Sequence, residues 1–247
     1  MSSNFEFIHP DWPAPAQVRA LTTTRVGGFS AGAFASFNLG DHVGDDAEAV
    51  QRNRAQLREQ FGIPEPSWLK QVHGTDVVEV SFGEAGHVAD GGFTEMAGTV
   101  CAVLTADCLP VFLCDRAGSR VAVVHAGWRG LVNGVIEAGV LALRTPSDEL
   151  LAWLGPAIGP EFYEVGDDVR NEFMAVDAEA ESAFRARGQG KWLADMYALA
   201  RQRLNAIGVE SVHGGDRCTY REQELFFSYR RDGTTGRMAS LIWIDPG

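Results

Sequence analysis

The sequence predicts one mixed α/β domain, residues 1–247, built of curved mixed sheets flanked by helices. Three observations carry this. Short apolar runs alternate with segments of helical spacing along the chain, the pattern of a layered α/β fold. The strands are many, short and closely spaced, which calls for more than one sheet or a strongly curved one. No internal repeat, low-complexity segment or linker divides the chain.

In chain order, Val18–Thr24 reads as the first strand. The loop RVGGFSAGAFASFNLGDHVGDD that follows is long, glycine-rich and aromatic, as site-forming loops often are. Asp45, with Glu48 three residues on, has the form of a capping box. It opens a charged helix from Ala47 to Gln60, which Gly62 and Pro64 stop. Ser67–Val72 and Val77–Ser81 are strand-like sides of the turn HGTD, so His73 falls at a strand end. GHVADGG reads as a loop. Thr99–Thr105, Val111–Cys114 and Arg120–Val124 form three apolar strands, the last two joined by the hairpin-like turn RAGS. From Trp128 the period changes: Leu131, Val132, Val135, Ile136, Val140 and Leu143 predict one helix, with Gly134 and Gly139 allowing it close to the sheet. Leu150–Leu154 is a strand ending in GPAIGP. Helices follow over Asp167–Val176 and Leu193–Ile207, the second stopped by Gly208. Val209–Val212 is a strand, and Phe226–Arg230 with Arg237–Ile244 read as a closing hairpin around DGTTG.

Composition narrows the function classes. A hydrophobic content of 45% and a charged content of 22% are those of a soluble globular protein. The net charge of −12 argues against nucleic acid or a membrane surface as partner. No apolar run approaches the ~20 residues that span a bilayer, and the first residues lack a signal-peptide pattern, so a cytoplasmic location is expected. Four cysteines are too few for a disulfide framework. An anionic substrate would need a local cationic pocket. Arginine must supply most of it, because Lys70 and Lys191 are the only lysines.

The chemistry concentrates between Cys101 and Gly130. Pro110 interrupts the strand register just after Cys108, which can leave that thiol accessible. Cys101, Cys114 and Cys218 read as small core hydrophobes. His125 ends a run of valines before AGWRG, and His73 likewise terminates a strand. Two readings stay open for the three residues. They could be scattered ligands of a catalytic zinc that keeps an open position for water, the thiolate disfavouring magnesium or calcium. Alternatively, Cys108 is a nucleophile with His125 as its base. A binding protein without catalysis is a third reading, which the concentration of reactive groups at strand ends disfavours.

The motifs QVHG, TADCLP, HAGWRG, LGPAIGP, GGDRCTY and FFSYRRDGTTGRMAS resemble the YfiH family, also called laccase-domain or multicopper polyphenol oxidase proteins. The resemblance runs from TTTRVGG to the last strand. It implies a single YfiH-like catalytic domain, distantly similar in fold to the cytotoxic necrotising factor deamidases. It also implies a zinc site on His73, Cys108 and His125. The activity it implies is phosphorolysis of adenosine, inosine and methylthioadenosine to free base and sugar 1-phosphate, with adenosine deamination alongside. The expected partners are therefore purine nucleosides and phosphate.

Two further activities attach to the family, copper-dependent oxidation of polyphenols and hydrolytic editing of peptidoglycan precursors with Cys108 attacking. A multicopper centre needs more imidazoles than the six histidines provide, none of them in a His-x-His pair. Copper at the same three residues would be adventitious. For phosphate, Arg25 and Arg129 are the sequence's candidates, since a planar guanidinium matches a phosphate face. Asp107 and Asp90 are candidates for a general acid or for orienting a ligand histidine. Phe29, Phe34 and Phe37 would either stack on a purine or anchor their loop. Oligomeric state has no signal in the sequence.

Overall fold

The computed structural model describes residues 5–83 and 86–247. Its elements are β1 (Phe7–Ile8), β2 (Val18–Thr23), α1 (Ala47–Phe61), β3 (Val77–Glu79), β4 (Gly91–Thr94), β5 (Val100–Thr105), β6 (Leu109–Asp115), β7 (Val121–Ala126), α2 (Trp128–Asn133), α3 (Val135–Ala142), β8 (Leu150–Leu154), β9 (Glu164–Gly166), α4 (Asp167–Val176), β10 (Phe184–Gly188), β11 (Lys191–Ala194), α5 (Met196–Ala206), β12 (Ser211–Gly214), α6 (Tyr229–Asp232) and β13 (Met238–Ile244). They form a four-stranded sheet ordered β1-β2-β13-β5, a six-stranded sheet β12-β8-β6-β7-β4-β3 and a small sheet β10-β11-β9. The six-stranded sheet is mixed: β12 runs parallel to β8 and β3 to β4, while its other pairs are antiparallel.

Strand periodicity explains the layering. Successive side chains point to opposite faces, so a strand buried on both faces reads as an unbroken apolar run. In β5, Cys101 and Val103 face the layer between the two large sheets. Val100, Ala102 and Leu104 face the other way, onto Leu57 of α1 and onto Phe37, Leu39 and Trp68. In β6 and β7, Phe112, Cys114, Val121 and Val123 enter the layer between the sheets. Their alternates Leu109, Val111, Leu113, Ala122 and Val124 pack beneath α2, α3 and α5. The order is helix, sheet, sheet, helices. Parity then places the chemistry: Cys108 and His125 continue the series of alternate residues of β6 and β7 that points between the sheets.

The two sheets, the buried apolar strands and helices α1 and α4 agree with the sequence expectation, and several boundaries differ for identifiable reasons. Asp46, not Asp45, caps α1 by accepting from Glu48 N; Asp45 instead accepts from Asn38 Nδ2. Gly62 ends that helix in the left-handed region. Ser67–Val72 is extended but makes only isolated bridges, Ser67 to Cys101 and Lys70 to Val88. The buried strand β4 begins inside GHVADGG, at Gly91, and its two glycines conceal it because they have low strand propensity. The helix after Trp128 is two helices, because Gly134 adopts φ 99 and ends the first. Leu193 lies in β11 rather than α5; its alternate strand face happens to extend the helical stripe. The closing hairpin does not form. Tyr229–Asp232 is a helical turn, and β13 pairs with β2 and β5.

Candidate metal and active site

Each ligand candidate is positioned by a distinct local device. Gln71 docks its segment on β5: its side-chain amide donates to Leu104 O (2.9 Å) and accepts from Leu104 N (2.7 Å). His73 then turns with φ 60. That turn aims three successive amides at one buried carboxylate: Val72 N, His73 N and Gly74 N donate to Asp90 at 3.1, 2.9 and 2.6 Å. Converging amides of this kind make an anion-binding nest. Asp90 sits opposite His125 where β4 meets β7, and its main-chain oxygen accepts from His125 N at 2.6 Å. Its carboxylate also holds His125 Nδ1 at 2.8 Å, which leaves Nε2 for the cleft. One side chain therefore sets two of the three ligands.

His73, Cys108 and His125 offer ligand atoms that all lie within 4.8 Å of one another. His73 is exposed, Cys108 half-buried and His125 buried. The glycines of HAGWRG make this approach feasible. A Cβ on Gly127 would lie 2.7 Å from His73 Cδ2 and 3.3 Å from Cys108 Sγ, and one on Gly130 would lie 2.8 Å from Gly74 O. The start of α2 thus closes onto the His73 turn only because neither position has a side chain.

The electrostatics match the geometry. Burial works against a charged Cys108, but His125 and His73 outweigh it and bring the thiol down to about 6. Burial likewise opposes a charged His125, and Cys108 with Asp90 reverses this, raising it to about 9. Burial would raise Asp90, yet His125 and the Gly74 and Val72 amides hold it below the usual carboxylate range. Cys101 and Cys114 show the opposite case, since burial drives both thiols up, Cys114 to about 12. Two imidazoles and a thiolate are a donor set suited to zinc, and a carboxylate behind one imidazole is the usual outer support.

The three residues lie in a cleft of about 1070 Å³. Its walls include Trp68, Leu104 and Tyr229, three cations (Arg54, Lys70 and Arg237), and Asp41 with His42 from the long loop.

The family described as multi-copper polyphenol oxidoreductase laccase matches residues 19–245. The chain belongs to this laccase family. A Shigella flexneri relative called purine nucleoside phosphorylase YfiH is 55% identical over 97% of this chain and 99% of its own. An Escherichia coli relative of the same name is 54% identical with the same coverage. A solved Neisseria meningitidis protein of the DUF152 family superposes with TM-score 0.94 at 52% identity, over 97% of this chain and 99% of that one. The "multi-copper" of the laccase family's name does not fit these residues. Among the described residues one cluster can hold a metal, whereas several copper centres need many more imidazoles.

Within this laccase-family fold the other sequence candidates separate. Arg25 does not line the cleft. It braces a second concavity, donating to Ala35 O and Gln223 O with its guanidinium over the Phe227 ring. Arg129 is exposed on α2, stacked on Trp128 at 4.3 Å, and is not among the residues that line the cleft. Asp107, with φ 91, has both carboxylate oxygens engaged, by Thr219 Oγ1 at 2.6 Å and Arg230 N at 2.7 Å. It binds the C-terminal segment to the cysteine corner. Phe37 is core, and Phe29 lies beneath Arg52. Sequence reasoning missed Arg54, Arg237, Trp68 and Tyr229, which come together only when α1, β5 and β13 assemble. The signal available for Arg237 was its place just before an apolar strand, as Cys108 stands just before β6.

Proposed function

We propose that the cleft is the active site of a cytoplasmic purine nucleoside phosphorylase acting on adenosine, inosine and methylthioadenosine, with one zinc ion held by His73, Cys108 and His125. Adenosine deamination is the accompanying activity. The observation that carries the reading is the ligand cluster in a cleft that also offers aromatic walls and cations. The relatives named as purine nucleoside phosphorylases support it.

In phosphorolysis a phosphate oxygen bonds to C1′ of the sugar. The C1′–N bond breaks, its electron pair goes to the purine, and the purine takes a proton. The protein's tasks are to gather an anion, seat a flat base and exclude water. Arg54, Lys70 and Arg237 gather the anion within a chain of net charge −12. Tyr229 supplies an exposed stacking surface. Asp90 fixes His125 in one orientation, so the ligand set is preorganised. Zinc, when bound, supplies Lewis acidity and an acidified water, as deamination at purine C6 requires.

A second reading rests on the Cys108–His125 pair. A thiol at about 6 beside an imidazole at about 9 is the ionised pair of a cysteine hydrolase, with Cys108 attacking an amide such as one in a peptidoglycan precursor. The test is to incubate metal-analysed protein with adenosine, with and without phosphate, and resolve adenine, inosine and hypoxanthine. Phosphate-dependent adenine release that chelation abolishes is expected. Inosine alone would leave only the deaminase. No product would overturn both activities, and amide hydrolysis insensitive to chelation would favour the cysteine hydrolase.

A further inference from the structure

We infer that Arg237 is the residue that grips the phosphate co-substrate, with Gly40 reserved to give its side chain room. This rests on the phosphorolytic reading of the cleft and names the group that would bind its anion. β13 sets Met238 opposite Thr105, so Arg237 lies at the head of that strand beside the Ala106–Cys108 corner. It lines the same cleft as Cys108 and His125, and the charges of Cys108 and Asp107 act on it. Its hydrogen bonds to described residues both leave from Nη1, to Thr235 O at 2.9 Å and Gly236 O at 3.0 Å. Those two bonds fix the plane of the guanidinium while Nε and Nη2 remain for a guest. Two parallel N–H donors on one edge match two phosphate oxygens.

The other two cleft cations are less suited. Arg54 spends Nε and Nη2 on Leu39 O, pairs with Asp41 at 3.4 Å and covers the Trp68 ring. Lys70 is an exposed point charge with no fork. Arg237, in contrast, has no carboxylate within ion-pairing distance among the described residues. A half-buried guanidinium in that condition is costly unless an anion visits it.

Its backbone is also held in place. Asn38 Oδ1 accepts from Arg237 N at 2.8 Å and from Gly40 N at 2.9 Å, and Asn53 Nδ2 of α1 donates to Asn38 O at 2.8 Å. A Cβ on Gly40 would lie 2.8 Å from Arg237 Cγ. The long glycine-rich loop therefore shapes the anion site without touching the anion.

The test measures binding of inorganic phosphate by calorimetry, on zinc-loaded and metal-free protein, for wild type, Arg237→Gln, Arg237→Lys and Gly40→Ala. Thermal melting and metal content serve as controls for folding. Arg237→Gln should weaken phosphate ~10- to 100-fold, the range for one or two charge-assisted hydrogen bonds, and raise the KM for phosphate alike with little change in that for nucleoside. Arg237→Lys should recover only part of this. Gly40→Ala should weaken phosphate while every charge remains. Undiminished phosphate binding by folded Arg237→Gln, or no phosphate binding by wild type, overturns the assignment. Arg237-dependent phosphate binding in a protein that splits no nucleoside would uphold the anion site and remove the phosphorylase reading.

Discussion

The two ends of the neighbouring strands β5, β6 and β7 carry different chemistry. At one end, Cys101 near the start of β5 and Cys114 near the finish of β6 are fully buried, with thiols that burial pushes up. At the other end, Cys108 and His125 sit on the same inter-sheet face, two residues beyond Pro110 and Val123. There a carboxylate and two imidazoles come within reach, and the Cys108 thiol falls to about 6. The difference teaches that sulfur alone decides nothing here. The strand supplies rigidity and direction, and the break in the strand supplies neighbours.

Exchanging sulfur for oxygen breaks the comparison most sharply. Cys108→Ser should lose bound metal and reduce phosphorolysis to background, while the unfolding free energy of the metal-free protein hardly changes. Cys101→Ser and Cys114→Ser should do the reverse. Each buries a hydroxyl without a partner and should cost ~1–3 kcal/mol in urea denaturation, with metal stoichiometry kept. A Cys108→Ser protein with full metal would remove the distinction between the two ends.

Asp90 gives the next largest effect. Asn in its place cannot accept from all three amides of the His73 turn and also hold His125 Nδ1. Asp90→Asn should lower metal affinity ~10- to 100-fold, measured by competition with a chelating dye. Equal affinity would show that the turn and the imidazole hold their places unaided.

Alkylation of the metal-free protein gives the finest reading. Because the Cys108 thiol is lowered, its thiolate forms on raising the pH through about 6, so the iodoacetamide rate at Cys108 should rise around that pH and then level off. Cys101 and Cys114 should stay unreacted in the native state up to pH 9, since burial holds both as thiols. A Cys108 rate still climbing through pH 8–9 would mean that the imidazoles do not stabilise the thiolate.

The sequence made the ends legible where an apolar run stopped at a reactive residue, as at His73, Cys108 and His125. It concealed what long-range pairing creates. Asp90, a sequence candidate for orienting a ligand histidine, does hold His125 Nδ1, but its second task of holding the His73 turn emerges only once β4 adds beside β7. Arg237 was absorbed into an expected hairpin, and only its pairing with β5 brings it to the cysteine corner. Arg25 and Arg129 had the right chemistry beside the right motifs. Nearness in sequence did not become nearness in the cleft, because Arg25 is taken up by its own loop and Arg129 stacks on Trp128. The two glycines of HAGWRG carry no sequence signal either, yet they are the contact surface for the His73 turn.

The central claim is that one metal site at these strand ends drives phosphorolysis. It is tested most directly by titrating chelator-stripped protein with zinc while following phosphate-dependent adenine release from adenosine. The account predicts activity that rises linearly and breaks at one zinc per chain, and that stays at background throughout in Cys108→Ser. Full activity in the stripped protein, or a requirement for more than one metal per chain, would contradict it.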